Sequence, residues 1–273
     1  YSLSPSDGGG FSDNPAAKAL TEKDPEGNPS YTPLVLKFYN DVARIVGKEF
    51  PDHKLGGYIY GQYRYPPAAG LPKLEPNLSL MLVGYTHHYR LYRPGMPELN
   101  DKLMKTWGES AKKDGFDIYF YDYPISLMAP NAIICPSTPD KLSFIFSNMS
   151  KNGFKGAYIY GNPVWPVFGA GNYILAKLFW NPDLDANKLL ESYCQKAFGV
   201  KAAPFIGNIY AVLDTAFNHF YSKNLRAGSA LTSDHLKEIY AQHYQEIEDY
   251  YLKASVIKKE PRQQQRLELF GQV

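Results

Sequence analysis

Two acidic residues directly follow short apolar runs, where they could perform acid–base chemistry. Asp7 follows residues 1–4 within the sequence Ser-Asp-Gly-Gly-Gly, and Asp122 follows residues 118–121. Glycosidases use two carboxyl groups on either side of the scissile bond, one as proton donor and the other as nucleophile or base. We therefore expect Asp7 and Asp122 to form a catalytic pair.

Each of these acids also has a structural interpretation. Asp-Gly-Gly is an ordinary turn sequence, so Asp7 could cap a loop. Apolar neighbours could raise the pKa of Asp122 and make it a proton donor or a base. Alternatively, Asp122 could be a buried acid paired with an arginine such as Arg64 or Arg90, because an acid without a partner is costly in an apolar environment.

Further polar and aromatic residues follow the same runs. Aromatic rings stack on pyranose faces, and amides, imidazoles and guanidinium groups bind hydroxyl or acid groups, so together they suit a sugar site. The alternative is that tyrosine and tryptophan merely fill strand ends and loops, and that the arginines are solvated at the surface. The expected substrate-binding residues are Tyr60, Gln62, Tyr63, Arg64, Tyr85, His87, His88, Arg90, Tyr123, Asn162 and Trp165.

No motif for a metal or a cofactor stands out, and we predict neither. His87 and His88 are adjacent at a strand end and point to opposite sides, which favours a hydrogen bond to a sugar hydroxyl over metal ligation; a structural histidine remains open. The glycines at 8–10 lack the Lys-Ser/Thr of a P-loop and the dinucleotide spacing. Cys135 and Cys194 match no zinc spacing and are expected to be structural thiols.

The charge balance excludes several classes of partner. The formal net charge is +2 and the charges are spread without a basic stripe, so neither nucleic acid nor an anionic membrane surface is implied. No apolar run reaches membrane-spanning length. A carbohydrate ligand is the expected partner.

Five apolar runs provide the elements that must position these residues. They lie at 1–4, 57–60, 80–83, 118–121 and 157–160, mostly separated by segments with helical spacing. This alternation predicts parallel strands joined by crossovers, with chemistry at the carboxyl ends of the strands. From Gly171 onward one helix follows another. We expect Trp107 and Trp180 to pack in the core and residues from Gln263 to form an exposed tail.

The pattern fits an α/β fold: strands 4 to 8 of a (β/α)8 barrel over residues 1–170, then the last barrel helix and a C-terminal helical region over 171–273. On this interpretation the chain is a fragment, and the missing N-terminal part of the barrel lies upstream or in another chain. The rival is a complete five-stranded, doubly wound sheet.

Two motifs carry a resemblance to a known family. Residues 4–11, Ser-Pro-Ser-Asp-Gly-Gly-Gly-Phe, and residues 169–185, from Gly-Ala-Gly-Asn to Asn-Pro-Asp-Leu-Asp, resemble the bacterial domain of unknown function 4838. That family is similar to α-glucuronidase and β-hexosaminidase barrels. The resemblance implies a secreted, extracellular or periplasmic glycoside hydrolase that acts on a polysaccharide or oligosaccharide.

The chain departs from the family pattern in two places. Family members often have paired cysteines just after the Asp-Gly motif, where this chain has none in residues 12–17. Many also have a glutamate at the end of the last strand, where this chain reads Tyr160-Gly161-Asn162. The missing glutamate leaves open a barrel that binds glycans without cleaving them. A third alternative is an interaction or scaffold protein that uses the helical region.

Overall fold

The computed structural model describes residues 1–6, 10–84, 91–123, 136–159, 164–225, 227 and 232–272. The chain forms two compact units, each assembled from separate segments. The sheet unit comprises Tyr1–Gly84, Glu98–Asp122 and Asn148–Ile159. The helical unit comprises Tyr85–Pro97, Tyr123–Ser147 and Tyr160–Val273.

The described strands form one small hairpin and one parallel sheet. They are β1 (Glu22–Lys23), β2 (Pro29–Ser30), β3 (Leu55–Ile59), β4 (Leu78–Val83), β5 (Asp117–Asp122) and β6 (Ala157–Ile159). β1 and β2 pair antiparallel, whereas β3 to β6 lie side by side in chain order and are all parallel. The predicted parallel α/β organisation is therefore confirmed.

The first predicted strand is reduced to a single bridge. Ser2 pairs with Gly56 in parallel, and the amides of Gly56 and Leu3 donate to the carbonyls of Tyr1 and Gly56, each over 2.7 Å. The predicted run at 1–4 thus lies beside β3, but only as an isolated bridge.

The described helices are α1 (Pro15–Lys18), α2 (Thr32–Glu49), α3 (Met96–Asp114), α4 (Pro139–Lys151), α5 (Trp165–Trp180), α6 (Ala186–Phe198), α7 (Ala203–Lys223), α8 (Ser233–His235), α9 (Tyr244–Ser255) and α10 (Pro261–Phe270). A π-helical turn at Leu236–Tyr240 and a 3-10 turn at Ala241–His243 lie between α8 and α9. Within these described ranges no helix is both long and apolar enough to cross a membrane.

The two faces of the sheet differ. On β5, Ile118, Phe120 and Asp122 are buried, while Tyr119 and Tyr121 on the alternate face are half-buried. The buried face packs on helix α2, where a Cβ on Gly57 would lie 2.6 Å from the ring of Tyr39. Glycine is therefore required for this helix to approach the sheet.

The other face carries a row of tyrosines. Tyr121 stacks on Tyr158 with a ring separation of 5.3 Å and lies 5.8 Å from the ring of Tyr58. Tyr58 and Tyr158 both retain exposed surface. The aromatic residues of these runs thus occupy this face as well as the strand ends.

Three expectations about the helical region are wrong. Helix α5 begins at Trp165, whereas the helical pattern was expected to begin only from Gly171. Trp180 is 91% exposed, because it ends α5 about 200° around the helix from the buried Leu178. The expected tail is helix α10, anchored by the buried side chains of Leu267 and Phe270. Trp107, by contrast, is fully buried as predicted.

Candidate functional site

Several predicted site residues lie outside the described residues, namely Asp7, Tyr85, His87, His88, Arg90 and Asn162. Of the others, Tyr60, Gln62, Tyr63, Arg64 and Asp122 belong to the sheet unit, and Tyr123 and Trp165 to the helical unit. The half-buried Tyr123 directly follows β5. The catalytic role predicted for Asp7 and Asp122 stays a prediction.

Asp122 is completely buried at the carboxyl end of β5. It lies on the helix-covered face, because side chains alternate along the strand and Phe120 shares its side. A Cβ on Gly84, just beyond β4, would come within 3.1 Å of the Asp122 Oδ2 atom and within 2.4 Å of the Phe120 ring. The carboxyl is therefore packed closely against the backbone of the neighbouring strand end.

Arg64 is also buried, and its guanidinium donates hydrogen bonds within the protein. Nη1 donates to the carbonyl of Gly84 over 3.0 Å, and Nη2 donates to Glu26 Oε1 over 3.3 Å. Arg64 also lies 4.4 Å over the ring of Tyr65, whose hydroxyl donates to the same Glu26 oxygen over 2.6 Å. Arg64 therefore binds the carboxylate of Glu26, in the turn between β1 and β2.

The aromatic residues after β3 hold the long loop that precedes α2. Phe11 stacks on Tyr31 at 4.2 Å and meets the edge of Tyr63 at 5.9 Å, and Tyr60 lies 6.3 Å from Tyr63. Tyr63 is buried, so it has no open face for stacking a sugar, whereas Gln62 is exposed and its carbonyl accepts the Tyr31 amide over 2.8 Å. This cluster fixes the loop to the sheet unit.

In the helical unit, Trp165 lies at a pocket of about 420 Å³. We call it the Trp165 pocket; its lining includes Trp165, Tyr173, Tyr193, Lys196, Arg266 and Phe270. The Trp165 side chain is 54% exposed at the first residue of α5. An indole half open to water beside an aromatic pocket offers a flat surface to a ligand.

Helix packing builds this pocket. Tyr193 and Lys196 are three residues apart on α6 and therefore share a helix face. A Cβ on Gly169 of α5 would lie 2.3 Å from the Tyr193 hydroxyl oxygen, so glycine lets the Tyr193 side chain lie against α5. The Tyr193 ring meets the edge of Phe198 at 5.9 Å, and burial raises the pKa of Tyr193 to about 12.

The charged groups of the pocket are positive. Lys196 Nζ donates to the Tyr173 hydroxyl over 2.9 Å, and this hydrogen bond, supported by Ser192, lowers the pKa of Tyr173. Arg266 Nη1 donates to the Lys196 carbonyl over 3.5 Å. Both cations line the same pocket.

Sequence reasoning missed a second polar cluster in the helical unit. Asp214 accepts the Ser137 hydroxyl over 2.9 Å and the Thr138 amide over 3.1 Å, next to the first turn of α4. Burial raises the pKa of Asp214 to about 6. The sequence feature that could have indicated this cluster is Asp214 itself, an acid within the otherwise apolar segment of α7. Among the described residues, no group of three or more His, Cys, Asp or Glu side chains could hold a metal ion.

These features define an α/β protein with a sequential parallel sheet and a helical unit that carries an aromatic, positively charged pocket. The chain matches the family model described as Domain of unknown function (DUF4838) over residues 1–211, and it belongs to this family. No curated protein and no solved structure is significantly similar to it. The family match includes Trp165 and Lys196 and ends before Arg266.

Proposed function

We propose that this protein binds carbohydrate through the Trp165 pocket. The observation that carries the proposal is the half-exposed Trp165 indole beside a pocket of about 420 Å³ whose walls are largely aromatic. Pockets for small molecules usually measure roughly 300–1,000 Å³ and combine apolar walls with a few polar groups. A sugar ring matches this combination, because its C–H face is apolar and its edge carries hydroxyl groups.

The polar groups of the pocket favour a sugar over an apolar ligand. A hydrocarbon would remove Lys196 and Arg266 from water without replacing their hydrogen bonds, which is costly. A sugar provides oxygen acceptors for these donors and for the Tyr173 hydroxyl while it stacks on Trp165.

A glycan array tests the proposal directly. The array should include plant and algal polysaccharide fragments, with wild type, Trp165→Ala and Trp180→Ala compared. Trp180 is a matched control because it is an exposed tryptophan at the opposite end of the same helix. We expect Trp165→Ala to abolish glycan signals and Trp180→Ala to retain them. Silence of the wild type across the array would contradict the proposal and favour an interaction scaffold.

Glycoside hydrolysis is the second candidate function, and Asp122 favours it. Asp122 lies at the carboxyl end of a parallel strand, which is where α/β proteins usually carry their catalytic and binding residues. Because its side chain is fully buried, Asp122 can reach a substrate only if the residues over it move.

Turnover measurements separate hydrolysis from binding. If Asp122 is catalytic, Asp122→Asn lowers glycoside turnover by about a thousandfold or more while the melting temperature stays unchanged. Asp117→Asn, at the other end of β5, is the control and retains turnover. Unfolding of Asp122→Asn would assign the acid a structural role, and binding without turnover in the wild type would leave a non-catalytic glycan-binding protein.

We also propose that the sheet is part of a (β/α)8 barrel, with residues 1–4 and β3 to β6 as its strands 4 to 8. The sequential parallel order supports this proposal, because a doubly wound sheet reverses its order at a switch point. The missing strands would come from upstream or from another chain, and the location would be extracellular or periplasmic. Sequencing the gene upstream of Tyr1 tests both points, since three further strand-like units and a secretion signal are expected there.

A further inference from the structure

We propose that the sugar unit bound in the Trp165 pocket is anionic, carrying a carboxylate or a sulfate ester that Lys196 and Arg266 bind. This inference rests on the proposed function and adds the substrate class of the same site. The sources of the negative charge are a uronic acid and a sulfated sugar.

The first support is the charge of the lining. The described lining residues contain two cations and no carboxylate. Lys177 adds positive charge nearby, with its Nζ 5.8 Å from the centre of the Tyr173 ring, and Lys196 Nζ lies 5.4 Å from the same point. These positive charges lie near one another, and the described lining residues include no acid. An anion that enters the pocket would therefore relieve the repulsion between the positive charges.

The second support is the number of donors that remain for a ligand. An ammonium has three N–H donors, and Lys196 uses one of them on the Tyr173 hydroxyl. Arg266 uses Nη1 on the Lys196 carbonyl, which leaves the other edge of its planar guanidinium. A guanidinium edge matches the two oxygens of a carboxylate or sulfate, and charge-assisted hydrogen bonds of this kind are stronger than neutral ones.

The third support is that both cations lie on packed helices and that Lys196 has a hydrogen-bond partner at the pocket. The Tyr173 hydroxyl accepts from Lys196 over 2.9 Å, and Arg266 Nη1 lies 3.5 Å from the Lys196 carbonyl, which is long for a hydrogen bond. Both are anchored on packed helices, since Phe198 beside Lys196 and Phe270 beside Arg266 are buried with their rings 5.4 Å apart. An anion would therefore meet one cation, Lys196, whose position the Tyr173 hydroxyl already favours, which lowers the entropy lost on binding.

Calorimetric titration of the 273-residue chain tests the inference with three oligosaccharides of equal length: a neutral xylo-oligosaccharide, an oligogalacturonate and a sulfated galactan. We expect at least one acidic ligand to bind roughly tenfold or more tightly than the neutral one, with an advantage that shrinks as salt rises. The stronger of the two acidic ligands identifies the source of the charge.

Charge variants locate the effect. Lys196→Gln and Arg266→Gln should each weaken binding of the acidic ligand by roughly tenfold and leave the neutral ligand unaffected. Lys253→Gln is the matched control, because Lys253 makes a similar lysine–tyrosine contact 5.6 Å from the Tyr250 ring, outside the pocket. It should change neither affinity. Circular dichroism melts confirm that each variant is folded.

The outcomes separate this inference from the proposed function. The anionic inference is overturned if neutral and acidic ligands bind equally and if Lys196→Gln and Arg266→Gln retain this binding. Loss of the same binding in Trp165→Ala would leave carbohydrate binding standing. Absence of binding to all three oligosaccharides overturns the inference for these ligands, while the glycan array decides on carbohydrate binding in general. If a simple aromatic carboxylate such as 4-hydroxybenzoate binds and none of the sugars binds, both the anionic inference and the proposed carbohydrate binding are overturned.

Discussion

The hydroxyl of Tyr193 lies against the backbone of Gly169, so closely that a Cβ on Gly169 would stand 2.3 Å from the Tyr193 oxygen. The same Cβ would lie 3.2 Å from Cε3 of Trp165. A single glycine of α5 therefore sets the positions of two aromatic side chains of the Trp165 pocket.

Gly169→Ala should destabilise the protein and disturb the pocket. Alanine gains about 1 kcal/mol of helix propensity, but overpacking typically costs about 1–3 kcal/mol, and a contact this short lies at the upper end. Urea denaturation should show a net loss of stability. The loss should shrink in a Tyr193→Phe background, where the clashing oxygen is absent; an equal loss in both backgrounds would contradict the packing account.

Asp214 should make stability depend on pH. Its pKa is raised by burial to about 6 in the folded chain, against 3.8 for an unperturbed aspartate. The folded state then binds more protons than the unfolded state between pH 4 and 6, so the contribution of Asp214 to stability falls as pH rises through this window and is constant above it.

Asp214→Asn is the test of that pH dependence. The difference in unfolding free energy between wild type and variant should slope between about pH 4 and 6 and be flat on either side. Asp52→Asn, at an exposed site of the sheet unit, is the control for removing a carboxylate elsewhere in the chain. A difference curve for Asp214→Asn without slope would show that this carboxyl titrates normally.

The Arg64–Glu26 contact should hold the β1–β2 hairpin to the sheet unit. Arg64→Met removes the donors to Glu26 and Gly84, and hydrogen bonds to charged groups each contribute about 1.5–3 kcal/mol. We expect faster limited proteolysis within residues 10–31. Arg44→Met is the control, because Arg44 makes exposed ion pairs of little expected value. Equal cleavage of the two variants would contradict this role.

The sheet was predictable because its strands are short apolar runs between helical segments. The apolar runs at 57–60, 80–83, 118–121 and 157–160 indicated the positions of β3 to β6. The start of α5 was missed because Gly169 and Gly171 look like helix breakers, although Gly169 is required by the packing of Tyr193. Trp180 was misplaced because helix phase, and not composition, decides which residues are buried.

The candidate site was predictable only in part. Trp165 follows the last strand and was therefore predicted as a site residue, whereas Lys196 and Arg266 come from helices more than 30 residues farther along the chain. Arg266 was taken as part of a tail because α10 is polar except for a few buried positions such as Leu267. Convergence of such distant residues arises from tertiary packing, which local periodicity does not encode.

The most direct test of carbohydrate binding is the accessibility of Trp165 itself. The chain has three tryptophans, of which Trp107 is fully buried, so in a Trp180→Phe variant Trp165 is the exposed indole. Acrylamide quenching of this variant should be measured with and without a saturating glycan identified on the array. A stacked sugar should lower the quenching constant and shift emission to the blue. Unchanged quenching while calorimetry shows the glycan bound would contradict the account.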